Sequence, residues 1–79
     1  EMITLVVGES GKILTSSDGV SWSSQTSGTS KQLNDITYGN DKFVSVGYTG
    51  TILSSTDSVS WTSRTSGTTQ NLWGIIYSE

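Results

Sequence analysis

The chain has 79 residues, with 4 basic and 7 acidic side chains, a formal net charge of −3, and no Cys, His or Pro. These counts exclude disulfides, thiol chemistry, histidine-based catalysis and Cys/His zinc sites, and an acidic chain with few scattered cations is a poor partner for nucleic acid or an anionic membrane. No apolar run approaches the roughly 20 residues of a membrane span, and with only 32% hydrophobic residues a chain this small is expected to be marginally stable alone.

Short segments rich in β-branched residues alternate with Gly- and Asp-containing turns along the whole chain. They predict strands, in chain order, at 3–7, 12–16, 22–26, 33–38, 43–46, 51–55, 61–65 and 72–77. Strands joined by tight turns should be antiparallel neighbours. Consecutive apolar residues, as in Leu5-Val6-Val7 and Ile52-Leu53, predict that the middle strands are buried on both sheet faces.

The sequence repeats itself at an offset of 39 residues. Segments 2–40 and 41–79 are identical at 18 of 39 aligned positions without a gap, and the matches include Trp, Tyr, Leu, Ile and Gly. A period near 40 residues with four short strands, buried on both faces, is typical of a β-propeller blade. A β-solenoid is the main alternative, although its coils usually have shorter and strongly regular periods.

Both copies contain Val-Gly-x-x-Gly-x-Ile-Leu-x-Ser-x-Asp, then Trp four residues after the Asp, then Thr-Ser-Gly-Thr. This pattern resembles the Asp-box (BNR-like) propeller blades, closest in style to photosystem II assembly factor-type propellers. The resemblance covers essentially the whole chain and implies that Asp18 and Asp57 lie in the turn between the third and fourth strands. The second copy departs from the pattern, with Ser58 where the first has Gly19, and the Asp-to-Trp spacing is one residue shorter than the commonest form.

Four residues of this motif are predicted to have structural roles. Asp18 and Asp57 can accept hydrogen bonds from backbone N–H groups of their own turns. Trp22 and Trp61 supply the largest apolar areas of each repeat and should pack at the edge of a blade. A calcium site or a catalytic role for the two aspartates is the minor alternative, and no metal or cofactor is predicted.

The positions of the strands relative to the chain ends predict self-assembly. Segment 33–66 makes a complete blade, segment 3–27 lacks its innermost strand, and segment 72–77 is an innermost strand without a blade. Because known propellers have about four or more blades, the lone strand is expected to complete the blade of a neighbouring chain. We therefore predict an all-β fold: one unit, 1–79, with two four-stranded antiparallel blades per chain, forming a homo-oligomeric propeller ring by intermolecular strand exchange. A trimer is slightly favoured over a tetramer.

Candidate ligand-binding residues lie where the two repeats differ most. Asn34 and Asp35 align with Trp73 and Gly74, and Glu9 aligns with Tyr48. Trp73 could provide a stacking platform for a sugar ring, or fill space between blades. The candidate binding set is Trp73, Tyr48, Asp35 and Asn34.

No catalytic residues are predicted. The sialidases of this fold class hold their substrate with several arginines, whereas this chain has one, Arg64. The two turn aspartates belong to different blades, too far apart for two-carboxylate glycosidase chemistry. The sequence favours a non-enzymatic, self-assembling propeller building block, either an excerpt of a longer repeat protein or a designed fragment. A multivalent glycan-binding lectin is the alternative. The partner is then the chain itself, with carbohydrate as the second candidate, and the composition is compatible with secretion without requiring it.

Overall fold

A computed structural model describes residues 3–78, so Glu1, Met2 and Glu79, the outermost positions of the predicted unit 1–79, lie outside the described residues. The fold is built from two antiparallel β-sheets and two single-turn 3₁₀ helices, Glu9–Gly11 and Tyr48–Gly50. Within residues 3–78, no helix has the length and hydropathy needed to cross a membrane. The predicted all-β class is confirmed.

The two sheets contain three and four strands. The first has the order β1 (Thr4–Val7), β2 (Ile13–Ser16) and β3 (Ser23–Gln25); the second has the order β4 (Leu33–Gly39), β5 (Lys42–Gly47), β6 (Ile52–Ser55) and β7 (Thr62–Arg64). Neighbouring strands are antiparallel throughout, as predicted, and each strand begins and ends within a residue of its predicted bounds.

The predicted strand at 72–77 has no ladder among the described residues of the single chain, and its expected pairing with a neighbouring chain stays a prediction. Residues 71–78 have no strand assignment, and no ladder in the described chain includes them. A strand needs a partner backbone, because its N–H and C=O groups make their regular hydrogen bonds only to a neighbouring strand. A single chain therefore holds one four-stranded and one three-stranded sheet.

The two sheets are repeats of one unit. In the first sheet Val7 is paired with Ile13, and in the second their counterparts, Val46 and Ile52, are paired in the same way. The 3₁₀ turns also match, since Ser10 and its counterpart Thr49 both have positive φ, at 58° and 61°. The repeat in the sequence is therefore a repeat in backbone structure.

The hydrophobic core lies between the two sheets, and we call this interface the inner junction. Its buried residues Ile13, Leu33 and Leu53 are packed against the half-buried Leu5, Val7 and Trp61. Alternate residues of β1 lie on opposite faces of the sheet. Val6, between Leu5 and Val7, is consequently 44% exposed. The expectation that β1 is buried on both faces is wrong for the single chain, because no part of the chain between residues 3 and 78 fully covers its outer face.

The C-terminal segment, residues 71–78, lies beside the second sheet as β4 lies beside the first. The Leu72 N–H donates to the Gly47 carbonyl at 2.9 Å, just as the Leu33 N–H donates to the Gly8 carbonyl at 2.9 Å. Gly8 and Gly47, like Leu33 and Leu72, are equivalent in the repeat. The segment therefore occupies the position where the first strand of a further sheet would begin.

Candidate functional site at the sheet junction

The two aspartate turns have the same geometry. Asp18 Oδ1 accepts hydrogen bonds from the backbone N–H groups of Val20 at 2.8 Å and Ser21 at 2.9 Å, and from the Ser16 hydroxyl at 3.1 Å. In the second repeat, Asp57 Oδ1 accepts the corresponding bonds from Val59, Ser60 and Ser55, at 2.9, 2.9 and 3.0 Å. One carboxylate oxygen thus organises each turn.

These hydrogen bonds also set the charge state of the two carboxyls. The backbone N–H of Ser21, followed by that of Val20 and the Ser16 hydroxyl, holds the pKa of Asp18 below its ordinary value of 3.8. The equivalent donors, with the Ser60 N–H foremost, lower the pKa of Asp57 in the same way. Both groups are therefore anions at neutral pH, which fits turn stabilisation rather than proton donation. Within residues 3–78, no cluster of three or more Asp, Glu, His or Cys side chains could hold a metal ion.

The two equivalent tryptophans occupy different environments. Trp61 is half-buried against the inner junction, and its Nε1 donates to the Ser58 carbonyl at 3.1 Å. Its ring lies 6.5 Å from that of Phe43, centroid to centroid. Trp22, at the same position of the first repeat, is 40% exposed. The residue type is the same, so the difference arises from the neighbours: Trp61 packs against the inner junction and against Phe43, whose counterpart in the first repeat is Thr4.

The four candidate ligand-binding residues meet at the C-terminal segment. The rings of Tyr48 and Trp73 are edge to face, with centroids 5.3 Å apart. The Asn34 side-chain N–H donates to the Leu72 carbonyl at 2.7 Å, and the Ile75 N–H donates to Asp35 Oδ2 at 3.1 Å.

The polar members of this set are engaged by their own chain. Asn34 Oδ1 accepts from the Gln32 side chain at 2.9 Å, and Asp35 Oδ1 accepts from the Ile36 N–H at 2.8 Å. Trp73, which is 63% exposed, is the member that offers open surface. Asn34 and Asp35 therefore hold the C-terminal segment in place, and a ligand-binding role for the set stays a prediction.

Two further residues that the sequence analysis did not single out hold the same segment. The Thr49 N–H donates to Asn71 Oδ1 at 2.9 Å, and the Tyr77 ring lies directly over Gly39, where a Cβ would collide with it. Asn71 and Tyr77 align with Gln32 and Tyr38 in the repeat. The alignment could have marked them as inner-strand positions, but nothing local in the sequence indicates these contacts.

Three matched pairs of apolar positions differ in burial in the same sense, whereas Val46, which is 4% exposed, is more buried than its counterpart Val7. At the inner junction Ile13, Leu33 and Leu53 are buried, whereas their counterparts Ile52, Leu72 and Leu14 are only half-buried. The counterparts lie on the two sheet faces that point away from the inner junction. We call these the outer faces. Each outer face thus resembles one side of the inner junction, but it has no sheet packed against it in the described chain.

Comparison of the chain with protein-family models, curated proteins and solved structures found no match. The resemblance to Asp-box propellers stays a prediction from the sequence.

Proposed function

We propose that copies of this chain assemble into a closed homo-oligomeric β-propeller ring, and that the chain serves as a non-enzymatic scaffold. The observation that carries the proposal is the burial of Ile13, Leu33 and Leu53 at the inner junction and the partial exposure of their repeat counterparts. Equivalent residues in equivalent backbones have the same packing preferences. The outer faces are therefore suited to the kind of contact that the inner junction already makes.

The two outer faces are complementary to each other. The first sheet presents Val6, Leu14 and Trp22, and the second sheet presents Val44 and Ile52, with Leu72 of the adjoining C-terminal segment beside them. At the inner junction the equivalent positions are held by Ser45, Leu53 and Trp61 of the second sheet, and by Leu5 and Ile13 of the first sheet with Leu33 of β4 beside them. The first sheet of one copy can therefore pack against the second sheet of the next copy, largely through residues of the same type.

The hydrophobic core of the single chain is small, so burial of further apolar surface between copies would stabilise it. Within residues 3–78, the buried hydrophobic residues are Ile13, Leu33, Val46 and Leu53. Fully burying one such side chain contributes about 1.5–3 kcal/mol, and small domains bury too little surface for a comfortable margin. Covering two outer faces at every contact between copies enlarges the core without any change in the fold of the chain.

The contact joins different surfaces of two copies, so it is head-to-tail and forms a ring only at a suitable rotation. With two blades per chain the ring has an even number of blades. Six or eight blades lie within the common range of about 4–8, and we favour the trimer of six over the tetramer of eight. Exchange of the C-terminal segment between copies is part of this proposal.

The absolute molar mass of the particle tests the proposal. Light scattering and native mass spectrometry of the 79-residue chain should give one species, at three times the chain mass of 8.4 kDa, over a wide range of concentrations. A single species at four times that mass would keep the ring and change its size. A folded monomer, recognised by its β circular dichroism, would overturn the proposal. A polydisperse series of open chains would also overturn it.

A second candidate, a multivalent glycan-binding lectin, is favoured by the exposed Trp73 ring with Tyr48 at its edge. A ring would display this pair once per copy, which raises avidity for a multivalent glycan. A glycan array followed by tryptophan fluorescence titration should show saturable binding that Trp73→Ala abolishes at unchanged molar mass. Val59→Ala, at an exposed turn position, is the control. No saturable binding would overturn the lectin and leave the scaffold proposal standing.

A further inference from the structure

One edge of the first sheet has no partner strand in the described chain. β1 is the terminal strand of the order β1-β2-β3, whereas its counterpart β5 is paired on the same side by β4. By the repeat, the counterpart of β4 is the C-terminal segment, which has no ladder partner in the described chain. An unpaired edge offers a row of free N–H and C=O groups to another strand. The chain thus has one open strand edge and one unpaired segment of matching sequence.

We infer that the C-terminal segment of one copy pairs antiparallel with β1 of a second copy, in the register that β4 and β5 have within the chain. The inference rests on the proposed ring and specifies how its copies are joined. In that register Leu72, Gly74, Ile75, Ile76 and Tyr77 lie opposite Gly8, Val7, Val6, Leu5 and Thr4 of the second copy. These pairs are the repeat equivalents of the pairs that begin with Leu33 and Gly47.

The donor segment is already in position before a partner arrives. Its contacts with Gly47, Asn34 and Asp35 fix its backbone on one side. The opposite side is open, and the Ile76 side chain is 85% exposed. At the equivalent position Thr37, which is paired with β5, is half-buried. Because the segment is ordered in advance, docking costs less conformational entropy than ordering a free tail would.

A glycine in the acceptor sheet supports the same arrangement. A Cβ on Gly47 would collide with the Gln32 carbonyl and come within 2.9 Å of Leu33 Cα, because β4 passes directly over this position. The counterpart Gly8 has nothing within 4 Å of the corresponding point. Its φ of −170° is extended backbone that any residue adopts, so the single chain gives no reason for glycine here.

A docked C-terminal segment would explain why position 8 is glycine. By the repeat, Asn71 of the donor copy takes the place of Gln32, so its carbonyl would lie over Gly8 of the acceptor copy. The Tyr48 N–H donates to the Gln32 carbonyl at 2.9 Å. The equivalent bond between copies runs from the Glu9 N–H to the Asn71 carbonyl. Glycine at position 8 of the acceptor copy then leaves the space that the backbone of the donor copy occupies.

A pair of matched glycine variants separates docking from folding. Gly8→Ala should preserve the β circular dichroism of the chain, while the concentration needed for half assembly rises at least about tenfold, since the new methyl group occupies the space of the Asn71 carbonyl. Gly47→Ala should instead lower the unfolding temperature, because it disturbs a contact within each chain. A Gly8→Ala chain that assembles like the original would overturn the inference.

Disulfide cross-linking tests the register directly. Because the chain has no native cysteine, every disulfide must join the introduced residues. Leu5→Cys and Ile76→Cys chains, mixed and oxidised, should give a disulfide-linked pair containing one chain of each kind. The double variant Thr37→Cys/Val44→Cys, at the equivalent pair within one chain, is the positive control. Val7→Cys mixed with Ile76→Cys is the control for a register shifted by two residues.

These experiments distinguish the inference from the proposed function. If the ring mass persists and the internal control forms its disulfide while the Leu5/Ile76 pair does not, the register is wrong and the ring stands. Preferential cross-linking of the Val7/Ile76 pair would likewise show that the register is wrong while the ring stands. If no assembly occurs for the original chain at any concentration, the ring itself fails. If Gly8→Ala fails to fold, the disulfide between Leu5→Cys and Ile76→Cys chains tests the inference on its own.

Discussion

Single carboxylates organise the exposed turns of this protein. Asp18 and Asp57 each take up two backbone N–H groups that the turn leaves without a strand partner. The hydrogen bonds favour the charged form of each carboxyl, which is why the pKa of both is lowered. The stability of these turns should therefore depend on pH, although the turns lie at the surface.

Stability should fall in acid because of these two groups. A carboxyl whose pKa is lower in the folded than in the unfolded chain contributes fully above the unfolded value, near 3.8, and the contribution is lost as pH falls through the folded value. In Asp18→Asn/Asp57→Asn the urea midpoint should drop less between neutral pH and a pH of about 3. Asp41→Asn, which removes one charge from another turn, is the control. An unchanged pH profile in the double variant would contradict this assignment.

At the scale of elements, the C-terminal segment is positioned by side chains and by one backbone hydrogen bond, from the Leu72 N–H to the Gly47 carbonyl, rather than by a ladder. Asn34 and Asp35 of β4 hold its carbonyl and amide groups, and Tyr77 covers Gly39 at the far end of the same strand. The segment gains directed contacts along its length while its outer side stays unpaired. It is ordered without yet being part of a sheet.

Removing the Asp35 carboxylate should release this segment. Asp35→Ala takes the hydrogen-bond acceptor from the Ile75 N–H, and a bond to a charged group contributes about 1.5–3 kcal/mol. We expect faster hydrogen exchange at Ile75 and faster chymotrypsin cleavage after Trp73 and Tyr77, with the exchange rates of β5 and β6 little changed. Asp41→Ala is matched in charge and should resemble the original chain. Equal exchange rates at Ile75 in the two variants would show that Asp35 is not the anchor.

For the whole molecule, the same residue has a different environment in each repeat. Leu53 is buried at the inner junction, and Leu14, its counterpart, lies half-buried on an outer face. If the copies form a ring, each outer face becomes a junction, and the difference disappears. The repeat thus provides a matched control for nearly every residue of the interface.

Leucine truncation at these two positions should affect different equilibria. Leu53→Ala removes a buried side chain from each chain and should destabilise the fold by about 2–5 kcal/mol, seen in urea unfolding. Leu14→Ala should mainly raise the concentration at which the ring dissociates, measured by light scattering on dilution. If Leu14→Ala leaves dissociation unchanged, the outer face of the first sheet is not part of the contact.

The sequence predicted the local structure and left the long-range contacts open. Strand bounds followed from β-branched segments and turn motifs because both act over a few residues. The strand expected at 72–77 has no ladder within residues 3–78 of the single chain, because a ladder needs a partner strand, and the partner expected from the repeat belongs to a neighbouring chain. The contrast between the repeats drew attention to Tyr48 and Trp73, but their contact joins positions far apart in the chain. The hydrogen bond that Asn34 donates to the last segment and the one that Asp35 accepts from it were missed for the same reason.

The aromatic pair of Tyr48 and Trp73 makes the two kinds of junction chemically different. At the equivalent positions of the inner junction stand Glu9 and Asn34. Around any closed ring an aromatic boundary would therefore alternate with a polar one. The ring would then repeat with the period of the chain, two blades, and a contact shifted by one blade would bring together boundaries of different chemistry.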